Sequence, residues 1–136
     1  MNKIDIFISH AWRFHEEWKL TVDIIDSFTD IEWRNFSVPW HDPALRASTE
    51  IGNRSITNTL KSQIIPCHLC FILTDLYSVN GNIKWIDLAV EFSKEYKVPY
   101  FYIGVKNIEK FKKLSNFLTF EEEKILKIIK NYSVKK

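Results

Sequence analysis

Glycine is the residue this chain most clearly lacks. Its 136 residues include only three glycines, Gly52, Gly81 and Gly104, which is about 2% against a usual value of roughly 7%. Phosphate-binding loops and dinucleotide-binding turns need clustered glycines, because backbone N–H groups must approach a phosphate closely there. These glycines lie 29 and 23 residues apart, which excludes both kinds of loop. A nucleotide would have to be held by side chains and aromatic rings.

Cysteine is also scarce, and the two cysteines, Cys67 and Cys70, form a C-x-x-C pair. This spacing suits zinc or a redox disulfide, but the chain has no second cysteine pair to complete four zinc ligands. The apolar run that follows predicts a buried strand, and residues three apart on a strand point to opposite faces. We therefore expect two buried free thiols and no metal site.

Long apolar segments are absent as well. No run approaches the roughly 18 apolar residues of a membrane-spanning helix. Lys3 and Asp5 interrupt the start of the chain, where a signal peptide would become apolar. These features predict a cytoplasmic protein without a membrane partner.

The composition is rich in aromatic residues and nearly balanced in charge. Aromatic residues make up 15% of the chain, and the formal net charge is +2; the length predicts a single domain over 1–136. Residues 106–136 carry nine Lys and four Glu, a bias that can attract nucleic acid. However, Thr119 and Glu122 fit a helix capping box, and acidic residues followed by basic ones complement a helix dipole. We interpret this segment as a solvated helix and expect no nucleic-acid partner.

Predicted strands and helices alternate along the chain. Apolar runs predict strands, and apolar residues three and four apart predict helices. The predicted strands cover 3–8, 32–36, 67–73, 100–105 and, as a possible fifth, 116–119; the predicted helices cover 14–28, 48–64, 84–96, about 108–114 and a last segment after 119. This order is typical of a parallel sheet covered on both faces. Ligands of such sheets bind beyond the carboxyl ends of the strands, here including the proline-bracketed loop 37–47.

Three segments resemble TIR domains. Residues 7–10 (FISH) are similar to the first box of these domains, and 37–43 (SVPWHDP) resemble the S-V-P-x-H-D-P segment of bacterial ThsB-like TIR proteins of Thoeris antiphage defence. Residues 81–86 (GNIKWI), with Pro99 fourteen residues after Trp85, resemble the W-I-x-x-E-I helix of that family and the strand after it. The resemblance implies a flavodoxin-like three-layer α/β sandwich with a four- or five-stranded, mainly parallel sheet.

The resemblance also implies chemistry on NAD. TIR enzymes break the bond between nicotinamide and ribose, and a glutamate four residues after the helix tryptophan stabilises the positive charge that develops on the ribose. In this chain that position is Ala89. Asp87 and Glu91 fall on the opposite face of the predicted helix, so neither is expected to replace the missing carboxylate.

The ligand-binding candidates lie near the carboxyl ends of the predicted strands. They are Ser9, His10, Trp12, Trp40, His41, Asp42 and Trp85. The serine, histidines and aspartate could contact ribose or phosphate, and the tryptophans could stack on adenine or nicotinamide. Each also has a structural alternative, as a strand-end turn, a hydrogen-bonded histidine, an Asp-Pro turn or a packed tryptophan.

These features leave three functions open. The first is a non-catalytic or degenerate TIR-like module of bacterial antiphage immunity, which binds an NAD-derived nucleotide, another TIR domain or a defence effector protein. The alternative is an active enzyme that cleaves or cyclises NAD into a cyclic ADP-ribose-type signal with a displaced carboxylate, such as Glu91 or Glu50. The third is a flavodoxin-like partner domain without an immune role. Ala89 favours the first; no resident cofactor is expected, and NAD would be a substrate or ligand.

Overall fold

Alternating strands and helices build the part of the chain that the structure describes. The computed structural model describes residues 2–9, 16–37, 50–74, 83–104 and 114–135. Along the chain, the elements within these ranges are β1 (Asn2–Ile8), α1 (Glu16–Asp26), β2 (Ile31–Asn35), α2 (Glu50–Ile64), β3 (Leu69–Leu73), α3 (Ile83–Glu95), β4 (Tyr100–Gly104), β5 (Phe117–Thr119), α4 (Glu122–Tyr132) and β6 (Val134–Lys135).

Five parallel strands form the sheet, in the order β2-β1-β3-β4-β5. This is the strand order of flavodoxin-like folds, so the predicted α/β sandwich with a parallel sheet is confirmed. The two-residue strand β6 adds an antiparallel pairing to β1, with Lys3 opposite Val134. β6 was not predicted, because a strand of only two residues is too short to show an apolar pattern.

The two central strands, β1 and β3, form the middle of the core. All five residues of β3 are buried, and β1 buries both of its faces, as Ile6 and Phe7 show. The helices contribute further buried residues, among them Ile25, Leu60 and Ile125. Because both sides of the central strands are covered, their apolar side chains need not alternate with polar ones.

Most predicted boundaries differ from the observed ones by one or two residues, as is usual at element ends. The strand predicted at 32–36 covers Ile31–Asn35, and the helix predicted at 84–96 covers Ile83–Glu95. The predicted loop 37–47 beyond residue 37, and the short helix predicted at about 108–114 up to residue 113, lie outside the described residues.

The capping box predicted for the last helix is wrong. Thr119 is the final residue of β5, where it pairs with Gly104, and α4 begins only at Glu122. The N-cap is Glu121, which makes no side-chain capping bond; its carboxylate instead accepts a 2.8 Å hydrogen bond from the Thr119 hydroxyl. Strand pairing holds Thr119 two positions too early to cap the helix.

The charges of α4 nevertheless follow the predicted pattern. Glu122 lies in the first turn and Lys130 in the last, which complements the helix dipole. Lys130 lies 3.1 Å from a carboxylate oxygen of Asp30, and Lys124 lies 2.9 Å from one of Glu121. These ion pairs agree with the interpretation of α4 as a solvated helix.

Both cysteines are buried free thiols, as expected. The Cys67 thiol donates a hydrogen bond to the Gln63 carbonyl oxygen, whereas Cys70 lies within β3. Burial raises the pKa of the Cys67 thiol and raises that of Cys70 to about 12. Since the thiolate is the reactive form, both groups should be chemically inert in the folded protein.

Helix α3 ends in a Schellman motif with a lysine where glycine is usual. Val98 N–H donates to the Ser93 carbonyl at 2.8 Å, and Lys97 N–H donates to the Lys94 carbonyl at 3.3 Å. Lys97 has a backbone φ of 57°. This is the left-handed conformation that the Schellman motif requires just after the helix end. A side chain with a Cβ makes that conformation cost about 1 kcal/mol more than it does for glycine.

Within the described ranges, no helix combines the length and the apolar character needed to cross a bilayer.

Replacing Lys97 with glycine should stabilise the protein. We expect Lys97→Gly to raise the free energy of unfolding by about 0.5–1 kcal/mol, since relief of the backbone strain exceeds the added entropy of the unfolded chain. Chemical denaturation provides the measurement. Lys127→Gly, on the exposed face of α4, is the control and should lower stability by about 1 kcal/mol. Equal losses in both variants would contradict the strain at Lys97.

The buried thiols should react with Ellman's reagent only after unfolding. We expect slow reaction in native buffer and rapid modification of Cys67 and Cys70 in guanidinium chloride, because burial suppresses both the access of the reagent and the thiolate form. The absorbance of the released thiolate counts the reacted groups. Rapid modification of either thiol in native buffer would show that this part of the core is open.

Candidate functional site

The carboxyl edge of the sheet is the candidate site, because the strand order reverses there between β1 and β3. In flavodoxin-like sheets, ligands bind at such a switch point, beyond the carboxyl ends of the strands. Ser9 follows β1, Thr74 follows β3, and Ser37 lies two residues beyond β2. All three side chains are buried.

Ser9 joins β1 to β3 across the switch point. Its backbone N–H donates to the Phe71 carbonyl oxygen at 2.8 Å, and its hydroxyl oxygen accepts the Leu73 N–H at 2.8 Å. The side chain therefore continues the sheet hydrogen bonds after β1 has ended. Its own hydroxyl proton is not consumed by these two bonds, so the group can still donate one hydrogen bond.

Thr74 makes the corresponding connection between β3 and β4. Its hydroxyl donates to the Ile103 carbonyl oxygen at 3.3 Å. Together with Ser9, it fixes the carboxyl ends of three neighbouring strands. Sequence reasoning placed Thr74 at the carboxyl end of the predicted strand 67–73 but did not include it among the ligand-binding residues.

Ser37 anchors the first residue of the predicted loop 37–47. Trp18, on α1, donates its indole N–H to the Ser37 hydroxyl oxygen at 2.9 Å. The Ser37 hydroxyl in turn donates to the Asn35 side-chain oxygen, which also accepts the Ser37 backbone N–H at 2.8 Å. Trp18 falls within the helix predicted at 14–28, but nothing in the sequence indicated its contact with Ser37.

Ser9 is the only predicted ligand residue with a described side chain. His10, Trp12, Trp40, His41 and Asp42 lie outside the described residues. Trp85 belongs to α3, but its side chain is outside the described part, as is that of Glu50 at the start of α2. The structure therefore describes Ser9 at the switch point, whereas the roles of the other candidate side chains stay predictions.

Ala89 lies on the buried face of α3, as expected. It is 1% exposed, beside Ile86 and Val90, which are also buried. Asp87 and Glu91 are exposed. Among the described side chains of α3, no carboxylate reaches the buried face that carries Ala89.

A second polar cluster lies at the amino edge of the sheet. Asp5, at 11% side-chain exposure, receives two hydrogen bonds from Arg34 at 2.7 and 2.8 Å. Strand pairing places the two residues opposite each other on β1 and β2. They line a cavity of about 350 Å³ with His68 and the Lys3–Glu32 ion pair.

His68 is arranged as a structural histidine. Its Nδ1 accepts the backbone N–H of Asp5 at 2.9 Å, which places the proton of the neutral ring on Nε2. The carboxylate of Asp5 lies 3.9 Å from Nδ1, too far for a hydrogen bond. The hydrogen bonds and the charge of Arg34 lower the pKa of the Asp5 carboxyl group against the opposing effect of burial. This cluster is a neutralised ion pair inside a sheet and lacks the geometry of a histidine–carboxylate pair for acid–base catalysis.

Metal chemistry finds no support in the described part of the chain, where no three His, Cys, Asp or Glu side chains are grouped as metal ligands. Comparisons of the sequence and structure with models of protein families, with curated proteins and with solved structures found no match. The function must therefore be argued from the residues themselves.

Ser9→Ala should destabilise the protein locally and globally. Loss of the hydroxyl leaves the buried Leu73 N–H without an acceptor, so we expect the free energy of unfolding to fall by about 1–3 kcal/mol. Chemical denaturation measures this loss, and hydrogen exchange of the Leu73 amide localises it. Ser27→Ala is a matched control, because the Ser27 hydroxyl bonds the Ile24 carbonyl on an exposed surface. An equal loss of unfolding free energy in Ser27→Ala would show that the bond between Ser9 and Leu73 does not cause the loss in Ser9→Ala.

Asp5 should make the protein sensitive to acid. Its folded pKa lies below the ordinary value of 3.8. Its contribution is therefore complete above pH 3.8 and lost as the pH falls through the lowered folded value. We expect the unfolding free energy of Asp5→Asn to fall less steeply in this range. Denaturation at a series of pH values provides the slopes, with Glu32→Gln, from an exposed ion pair, as the control.

Proposed function

We propose that this chain is a cytoplasmic TIR-like domain of bacterial antiphage immunity that does not cleave NAD and acts by binding an NAD-derived nucleotide. The observation that carries the proposal is the position of Ala89. It occupies the place of the catalytic glutamate in the resemblance, and it lies on the buried face of α3.

Cleavage of NAD needs a carboxylate beside the ribose. Positive charge develops on the ribose as the bond to nicotinamide breaks, and a nearby negative charge lowers that barrier. The methyl group of Ala89 supplies none. Asp87 and Glu91 flank it in the chain but are exposed, and moving either carboxylate inward would require α3 to rotate by about half a turn.

Binding does not need that carboxylate. At the switch point the Ser9 hydroxyl accepts a hydrogen bond from the Leu73 N–H, and Thr74 donates one to the Ile103 carbonyl oxygen, so the strand ends form a preorganised base for the segments that follow them. Those segments contain His10, Trp12, Trp40, His41 and Asp42. Histidine and aromatic side chains can hold phosphate and base without a glycine-rich loop.

Another TIR domain or a defence effector protein is the competing kind of partner. Binding assays separate these cases, because a nucleotide that binds only the folded protein raises its melting temperature further as the nucleotide concentration exceeds Kd. A protein partner instead increases the particle mass. Nucleic acid is not expected as a partner, since Lys124 and Lys130 are already paired with carboxylates.

Purified protein should release almost no nicotinamide from NAD. The measurement is chromatographic detection of nicotinamide over several hours, with Glu91→Gln and Glu50→Gln assayed in parallel. Robust release by the unmodified protein, abolished in either variant, would establish a displaced carboxylate and overturn the proposal.

Ligand binding is tested by mass spectrometry of small molecules released from the native protein, followed by thermal shifts with NAD and ADP-ribose. A released NAD-derived nucleotide, with a matching thermal shift, would support the proposal. An empty protein that is not stabilised by either compound would contradict nucleotide binding and favour a protein partner.

The Ala89→Glu variant tests whether the rest of the pocket retains the geometry of a catalytic site. The new carboxyl group would enter a buried position, which raises its pKa and weakens its charge. We therefore expect little gain in nicotinamide release at neutral pH. A large gain would show that the rest of the pocket retains the geometry for NAD cleavage.

A further inference from the structure

A second candidate binding site lies at the opposite edge of the sheet from the switch point. A cavity of about 520 Å³ surrounds the amino end of β4, and we call it the amino-edge cavity. Its lining residues are Ser93, Lys94, Lys97, Val98, Pro99, Tyr100, Phe101, Ser115, Asn116 and Tyr132. The cavity is wide open to solvent, so it is a surface groove and not an enclosed cleft of the kind that buries most of a small-molecule ligand.

The cavity exists because β5 begins late. β5 pairs with β4 only from Tyr102 onwards, where Tyr102 lies opposite Phe117. The two preceding residues of β4 therefore have no strand beside them on that side. Asn116 partly replaces the missing strand by donating its side-chain amide to the Tyr100 carbonyl oxygen at 3.2 Å, which keeps the wall of the cavity ordered.

The charge of the lining has one sign. Lys94 and Lys97 are its only charged members, and no lining residue is acidic. Among the ion pairs of the described residues, none includes either lysine. This differs from Lys124 and Lys130 on α4, which are paired. The Schellman motif bonds the carbonyl groups of Ser93 and Lys94, and the charge of Lys94 also complements the dipole at the end of α3.

Aromatic rings form the rest of the wall. Phe101 and Tyr132 contact each other with ring centroids 5.8 Å apart, and Tyr100 packs edge-on against Tyr102 at 5.9 Å. Tyr100 and Phe101 are consecutive residues of β4, so their rings lie on opposite faces of the sheet. Tyr100 pairs with Cys70, which bonds Ser93 of α3. The Tyr100 ring therefore lies on the face that carries Lys94 and can stack with a flat ring.

Lys97 is the independent reason to regard the cavity as functional. Its left-handed backbone costs stability that glycine would recover, and residues held in such conformations cluster at ligand sites. A lysine there keeps a positive charge at the cavity that glycine would remove. Stability given up at one position for a charged side chain is the pattern expected of a binding residue.

We propose that the amino-edge cavity binds a small molecule in which a flat aromatic ring is joined to a phosphate group. Lys94 and Lys97 neutralise the phosphate, as lysine commonly does, and the ring of Tyr100, which lies on the same face of the sheet as α3, contacts the aromatic part. This site is separate from the nucleotide site proposed at the carboxyl edge.

The test uses 1-naphthyl phosphate as the probe, with 1-naphthol and inorganic phosphate as its separate halves. Titration is followed by the backbone amide signals in ¹H–¹⁵N NMR spectra. We expect the complete probe to shift the amides of Lys94, Lys97, Ser115 and Asn116, and each half to bind at least tenfold more weakly. Shifts confined to residues near Ser9 and Thr74 would assign the probe to the carboxyl edge and overturn the proposal. An absence of shifts would also overturn it.

Variants separate binding from stability. Lys94→Gln combined with Lys97→Gln should weaken the probe about tenfold, whereas Lys19→Gln, an exposed lysine on α1, should leave its affinity unchanged. Lys97→Gly should raise the melting temperature and weaken the probe at the same time. If Lys97→Gly raised both stability and affinity, or if Lys19→Gln weakened binding equally, specific recognition by the cavity would be refuted.

Discussion

The structure depends on burying both faces of β1 and β3. These two strands lie in the middle of the sheet, and their apolar side chains within 4–8 and 69–73 are almost completely removed from water. The burial of apolar surface is the main favourable contribution to folding, and here it is concentrated in the two strands that also flank the switch point. Polar groups in this region must therefore be hydrogen-bonded, because an unpaired buried group costs about 1–3 kcal/mol.

The polar residues of the sheet follow from that constraint. Ser9 and Thr74 are placed where neighbouring strands end at different points, and their hydroxyl groups bond the backbone atoms that would otherwise be unpaired. Asp5 is tolerated within β1 because Arg34, directly opposite on the edge strand, donates two hydrogen bonds to it. The same requirement thus fixes the geometry of the candidate site at one edge and of a neutral ion pair at the other.

Sequence reasoning recovered the features that depend on periodicity. The spacing of apolar residues indicated the buried face of α3, and it separated Ala89 from Asp87 and Glu91. The continuous apolar run of β3 similarly indicated a strand covered on both faces. Such patterns are local, because each side chain must match the face on which its own element is buried.

The features it missed depend on contacts between distant segments. Thr119 carries a good capping sequence, yet its pairing with Gly104 keeps it in a strand. Arg34 and His68 meet Asp5 across 29 and 63 positions of the chain, and nothing in their immediate neighbours indicates it. Register between strands decides such contacts, and register is a property of the assembled sheet.

The shortage of glycine takes on a different meaning at the end of α3. In the sequence it excluded glycine-rich phosphate loops; in the structure it leaves Lys97 in a backbone conformation that glycine adopts at lower cost. A charged residue at this strained position is consistent with a use of its charge, because Lys97 lines the same cavity as Lys94 and Tyr100. A helix end that is suboptimal for folding is then consistent with a surface organised for a ligand.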